Sequence, residues 1–194
     1  MTNFGGGKLE DGEKSALLRR LIGASPDLMA QLQAVSALDL PDCWIGAGAI
    51  RNLVWDSLDP RVRQDRQDKD VDVVFFDPAD CSIDREKALE EELASRVTGM
   101  DWQVRNQARM HLRNGDPAYR NTEDGLRHWP ETATAIAARL VDDRIELLTP
   151  FGLDDLLGMI VRPTPAFRHK RDIFLARQAK KNWRARWPGL SFVD

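Results

Sequence analysis

Two aspartates, Asp70 and Asp72, open the apolar run "VDVVFFD" one residue apart. Alternate residues of a strand project from one face, so their carboxylates would point together, with side chains roughly 6 to 7 Å apart. That spacing suits a pair of bridged divalent cations, one activating an attacking hydroxyl and the other holding departing phosphates, as in phosphoryl and nucleotidyl transfer. Hard oxygen ligands favour magnesium or manganese over zinc. A solvated strand end carries the same pattern, and the motif alone leaves both readings open.

Upstream, "WIGAGAIRNLVWD" places a Gly-Ala-Gly turn ahead of a helix. Gly46 and Gly48 would let the backbone approach a ligand, and the helix N-terminus would present free amides and a positive dipole end to an anion. Arg51, one turn in, could pair with a triphosphate in a fork geometry, or form an ordinary salt bridge with Asp56 or a strand aspartate. A dinucleotide-binding fingerprint is the rival for this turn. Against it, Arg51 stands where a third glycine belongs, and the acids open their strand instead of closing it. No G-x-x-x-x-G-K-[ST] loop is present.

The elements that must position these residues follow from pattern. Residues 1–12 are expected as a mobile tail, then two amphipathic helices within 13–38, the second capped by Ser25 with Pro26 at its first position. "CWIGA" reads as a short strand, "AIRNLVWDSL" as a helix and "VDVVFFD" as a strand buried on both faces. Ile83–Val97 is expected as a helix with Glu86, Glu90 and Glu91 outward and Ala88, Leu89, Leu93 and Val97 inward. "WQVRN" is a strand, and "ATAIAARLV" and "RIELLT" form two strands joined at Asp142-Asp143. "GLDDLLGM" is a short helix, and a basic helix spans 167–187.

Composition excludes several classes. At 194 residues with 42% hydrophobic content, the chain has material for one compact domain, expected over 13–194, and not for two. A net charge of −3 demands neither nucleic acid nor membrane, although eight Lys/Arg against two Asp/Glu from Phe167 onward make the C-terminus basic. Cys43 and Cys81 have no metal-ligand spacing and are expected reduced. His111, His128 and His169 share none either. Nothing reads as a signal peptide or membrane span, so a cytoplasmic location and no membrane partner are expected.

The Gly48 turn, the Arg51 helix and Asp70-x-Asp72 resemble the DNA polymerase beta superfamily of nucleotidyltransferases, in particular the turn-helix-DxD portion of tRNA CCA-adding enzymes. From Trp44 to Leu190, "NQARMH", "WPETATA", "PFGLDDLLGMIVRPTP" and "NWRARWPGL" are similar to a bacterial nucleotidyltransferase-like family of unsettled substrate. The sequence departs from the superfamily at Ala47, where glycine or serine is common. The resemblance implies an α+β fold, a mixed β-sheet flanked by helices with N- and C-terminal helical extensions. It also implies magnesium-dependent transfer of a nucleoside monophosphate from a nucleoside triphosphate such as ATP to a hydroxyl-bearing acceptor: RNA, a small molecule or a protein.

By the same resemblance Asp70 and Asp72 bind the metal, Gly46, Gly48 and Arg51 hold the triphosphate, and a third carboxylate stands on a neighbouring strand. Glu146 in "RIELL" is the residue chosen for that place, although alternation equally permits it a solvent-facing position. A non-catalytic nucleotide- or RNA-binding protein that kept the fold is the alternative, and a partner-binding protein using its basic tail is a third. Trp183 and Trp187, interleaved with lysines and arginines, could stack on bases, but packing against the domain is the simpler arrangement.

Overall fold

The computed structural model describes residues 9–59, 61 and 69–193. Residues 1–8 of the expected tail lie outside them. Helix α1 (Asp11–Gly23) begins two residues earlier than periodicity suggests, because Glu10 and Glu13 form a reciprocal capping box. In α2 (Pro26–Ser36) the Ser25 hydroxyl accepts the Leu28 amide at 3.3 Å, as the Ser-Pro start predicts.

Strand β1 (Trp44–Gly46) turns directly into α3 (Gly48–Leu58). Strand β2 (Asp70–Phe75) is followed by α4 (Ile83–Arg96), β3 (Asp101–Asn106) and α5 (Gln107–Asn114). Then come α6 (Thr122–Arg127) and the hairpin of β4 (Ala137–Val141) and β5 (Arg144–Leu148). Asp142 and Asp143 both take positive φ, 47° and 61°, the hand that matches strand twist in a two-residue turn. The chain ends with α7 (Asp154–Leu157), β6 (Ile160–Val161), a 3₁₀ turn at Pro165–Phe167, α8 (Arg171–Lys181), α9 (Trp183–Arg186) and β7 (Ser191–Phe192).

The main sheet runs β3-β2-β1-β4-β5, with β2 and β3 parallel and every other pair antiparallel. The mixed α+β architecture is the expected one. It also removes the dinucleotide-binding reading, which needs parallel strands around the glycine turn, whereas β1 and β2 are antiparallel. One sheet face carries Ile45, Val71, Val73, Val104 and Ala138 into a core shared with Leu18, Ile22, Leu32 and Leu93 from α1, α2 and α4. On the other face a smaller cluster joins Trp44, Val74 and Ala137 to Leu126 and Trp129.

Two expectations need correcting. Glu86 faces inward and Ala88 outward, because the buried Glu86 carboxylate accepts the Asn106 amide at 2.7 Å and pairs with Arg109. A buried charge is tolerated when so satisfied. The basic C-terminal helix is not continuous: Asn182, at φ 49°, separates α8 from α9. Trp183 and Trp187 are buried edge-on against Trp55 at 5.7 and 5.1 Å, so neither is available to stack on a base. Among the described residues no helix is long and apolar enough to cross a membrane.

Candidate functional site

Antiparallel pairing brings the turn and the two aspartates together. Gly46 is the register partner of Asp72, and Asp70, two residues further out on the same face, lines one cleft with Gly48. Asp70 is exposed and Asp72 half-buried. Between the glycines, Ala47 adopts φ 50° and ψ −120°, a conformation that a side chain disfavours. It is held there because its amide donates to the Ile136 carbonyl at 3.1 Å while its carbonyl accepts the Arg51 amide at 3.0 Å. Among the described residues no side chain caps α3, so the helix start at Gly48 keeps backbone amides that an anion could take.

The two glycines serve different ends. A Cβ on Gly46 would meet the Trp129 ring at 2.8 Å, so this glycine makes room for packing and not for a ligand. A Cβ on Gly48 would find nothing nearer than 3.7 Å, and its φ is ordinary; the positive-φ position of the turn is Ala47. Gly48 instead lines an open cleft of about 460 Å³ with Asn52, Asp56 and Asp70.

Arg51 lies beneath the turn, with only 4% of its surface exposed. Its Nε and Nη2 donate to Asn52 Oδ1 at 3.1 and 2.8 Å, and Nη1 donates to Thr134 Oγ1 at 2.9 Å. The guanidinium is stacked between Trp183, at 4.4 Å, and Trp55, at 5.2 Å. Its fork is thus built into the protein, and the charge acts from below. Asp56, the alternative partner, accepts from Arg186 and from the Trp187 indole.

Burial raises the Asp72 pKa, against the opposing pull of Arg51, Lys181 and Arg177 and with a smaller push from Asp70. Loss of hydration therefore outweighs three nearby cations. Arg177 donates from Nε to the Glu131 Oε1 at 2.8 Å and lies 5.8 Å from the Trp183 ring, on whose π system Arg51 also rests. Glu131, 1% exposed, is tied back to Thr134, whose amide donates to its carbonyl.

Glu146 is not brought to this cluster. It shares the sheet face with Asp72, but β1 and β4 intervene, so three strand spacings, about 14 Å, separate the two strands. On the edge strand Glu146 is paired with Arg139, whose Nε donates to it at 2.8 Å. Among the described residues no three His, Cys, Asp or Glu side chains gather where they could hold a metal ion. In "NQARMH", Asn106 caps α5 through the Ala108 amide at 3.1 Å and Arg109 is taken by Glu86. Both are structural.

Sequence reasoning met Ala47 only as a departure from the superfamily and Lys181 only within the basic C-terminal stretch, and it did not single out Thr134, Glu131 or Arg177. Arg177 and Lys181 left a further local signal: two cations four residues apart on one face of a helix.

The chain matches the family described as nucleotidyltransferase over residues 33–192. An NMR structure described as revealing a CCA-adding enzyme head domain is 33% identical, with a TM-score of 0.79, covering 91% of this chain and 94% of that one. The Thermotoga maritima CCA-adding enzyme complexed with tRNA superposes with a TM-score of 0.58 at 13% identity, covering 91% of this chain and 42% of its own. A CCA-adding enzyme complexed with CTP gives 0.57 at 15%, covering 93% and 43%. This chain therefore spans less than half the length of those two proteins, and at such identity they speak for the fold alone. No curated protein matches the chain.

Proposed function

The chain belongs to the nucleotidyltransferase family and is an NTP-using transferase; from that premise we propose that it moves a nucleoside monophosphate to an acceptor hydroxyl, with divalent metal bound at Asp70 and Asp72. The observation that carries this reading is the register of Asp72 with Gly46, which sets two same-face carboxylates against the uncapped start of α3. A new bond forms between the acceptor oxygen and the α-phosphorus. The bond from that phosphorus to the α,β-bridging oxygen breaks, pyrophosphate departs and a proton is released.

Each residue group has a physical task in that reaction. The α3 amides beside Gly48 hold phosphate oxygens without a charged side chain in the turn. Arg51 adds positive potential from beneath, where its bonds to Asn52 and Thr134 keep it fixed, so no reorganisation is needed as charge moves onto the leaving group. Asp70 and Asp72 offer oxygen donors only, which fits magnesium or manganese. Two protein carboxylates leave coordination positions for phosphate and water. When bound, the ion supplies charge neutralisation for the reacting phosphates. Glu146 has no part in the site.

The likeness to enzymes complexed with CTP and with tRNA makes CTP the first nucleotide to try and an RNA 3′ end the first acceptor class. We place the activity in the cytoplasm. The test is a thermal-shift panel of the four triphosphates with and without magnesium, paired with pyrophosphate release in the presence of RNA. Stabilisation should require metal, at roughly 2.7 kcal/mol for ligand at a hundredfold excess over Kd. Gly48→Val should keep the fold, since its Cβ position is open, and weaken triphosphate binding. A parent protein with no metal-dependent shift for any triphosphate would overturn the reading.

A further inference from the structure

Helix α8 is followed, after Asn182, by Trp183, whose ring stacks on Arg51 beneath the phosphate turn. Arg177 and Lys181 are four residues apart and so share a face of that helix. Arg177 is located by two contacts: its Nε bond to buried Glu131 and its place against the Trp183 ring. The same ring carries Arg51, whose Nη2 lies 3.8 Å from the open space beside Gly48. One indole thus links the cation of α8 to the cation beneath the turn.

The two α8 cations differ in how far they are committed. Arg177 spends Nε on Glu131, while its terminal nitrogens, on a side chain 32% exposed, bond to nothing among the described residues. Lys181 is exposed and forms no hydrogen bond or ion pair among the described residues. It stays in solvent one helical turn from Arg177 on the same face of α8, and its charge opposes the rise of the Asp72 pKa. Glu131 keeps a second oxygen, Oε2, buried without a hydrogen-bond partner among the described residues, so its charge rests on Arg177 alone. These contacts fix Arg177 while leaving its outer nitrogens unbonded among the described residues.

We infer that Lys181 and the outer nitrogens of Arg177 form a second phosphate clamp, linked to Arg51 through the Trp183 ring and gripping the β- and γ-phosphates of the nucleotide. This rests on the nucleotidyl-transfer reading of Asp70 and Asp72. It assigns part of the basic C-terminus to the nucleotide, where the charge pattern alone suggested an RNA surface. Near the carboxylates the charges balance: Arg51, Arg177 and Lys181 against Asp70, Asp72 and Glu131. A triphosphate arriving with its metal therefore meets no net repulsion.

The test compares magnesium-CTP, magnesium-ATP and the corresponding monophosphates, with binding read by calorimetry on the full chain. Lys181→Gln should weaken triphosphate binding about tenfold, the scale of one charge-assisted hydrogen bond, and leave the monophosphate within twofold. Lys181→Arg should restore affinity. Lys180→Gln, an equal charge change on the neighbouring exposed residue, should do little. Arg177→Gln would strand the buried Glu131 charge, so the double variant Glu131→Gln with Arg177→Gln replaces it, and should lose triphosphate affinity while still melting cooperatively. Equal losses for Lys180→Gln and Lys181→Gln, or equal losses for mono- and triphosphates, would overturn the clamp. So would unchanged affinity in Lys181→Gln while Asp72→Asn abolishes metal-dependent binding, and that result would leave the underlying reading intact. A parent protein that binds no magnesium-triphosphate would overturn both.

Discussion

Asp72 and Glu146 lie on the same face of one sheet, each in a short strand and each flanked by apolar residues, yet their surroundings oppose each other. Glu146 sits on an edge strand with its carboxylate closed by Arg139, and its side chain is 44% exposed. Asp72 sits on an interior strand, half-buried, with three cations nearby and, among the described residues, no hydrogen bond that compensates its lost hydration. A paired, wet acid contributes little and is available for little. A poorly solvated acid near cations but not satisfied by them holds the unspent interaction energy that a ligand can use. Strand position produced the difference, because the edge gives Glu146 water and Arg139, while the interior takes water from Asp72 and leaves it the charges of Arg51, Arg177 and Lys181.

Mutating both acids gives the largest expected contrast. Asp72→Asn should reduce nucleotidyl transfer on the order of 10³-fold, several kcal/mol of lost charge stabilisation, measured by pyrophosphate release. Glu146→Gln should change it less than twofold. Comparable losses in the two variants would break the distinction drawn here.

Next in size is the packing under the turn on the Asp72 side. Gly46→Ala places a methyl 2.8 Å from Trp129, so an overpacking cost of about 1–3 kcal/mol should appear in denaturant melts. Ala47→Gly should act oppositely, because it removes the side chain from a disfavoured conformation. Relief of strain set against the extra freedom glycine brings to the unfolded chain leaves a gain of about 1 kcal/mol. An Ala47→Gly variant that melts lower would mean the turn is unstrained.

The apo stability of the two acid variants sharpens the comparison further, with opposite signs. The Asp72 pKa is raised in the folded protein, so its ionisation opposes folding. That cost is fully present above the raised pKa, and it vanishes once pH falls below the ordinary carboxylate value, where folded and unfolded states are both protonated. Asp72→Asn should therefore melt at or above the parent temperature at neutral pH, and the two curves should converge on acidification. Glu146→Gln, which breaks an exposed pair, should lose at most about 1 kcal/mol, the smallest effect of the series. A gap between parent and Asp72→Asn that widens toward low pH would reverse the assignment.

Local sequence was sufficient for features whose cause is local. The Ser25-Pro26 start of α2, the Asp142-Asp143 turn and the apolar run of β2 each depend on a few adjacent residues, and the structure has them where pattern put them. Asp70 and Asp72 share a face for the same reason: strand geometry alone makes it so. Tertiary structure decided everything that depends on a distant partner. Glu86 turned inward because Arg109 and the Asn106 amide could satisfy it. Gly46 answers to Trp129, 83 positions away, and Arg51 to Thr134 and Trp183. Glu146 was separated from the aspartates by the strand order, which periodicity cannot reveal, since a period of two fixes the face and is blind to the neighbour. Arg177 and Lys181 reached the site only because a C-terminal helix packs its flanking tryptophans beside α3, a contact between residues more than a hundred positions apart.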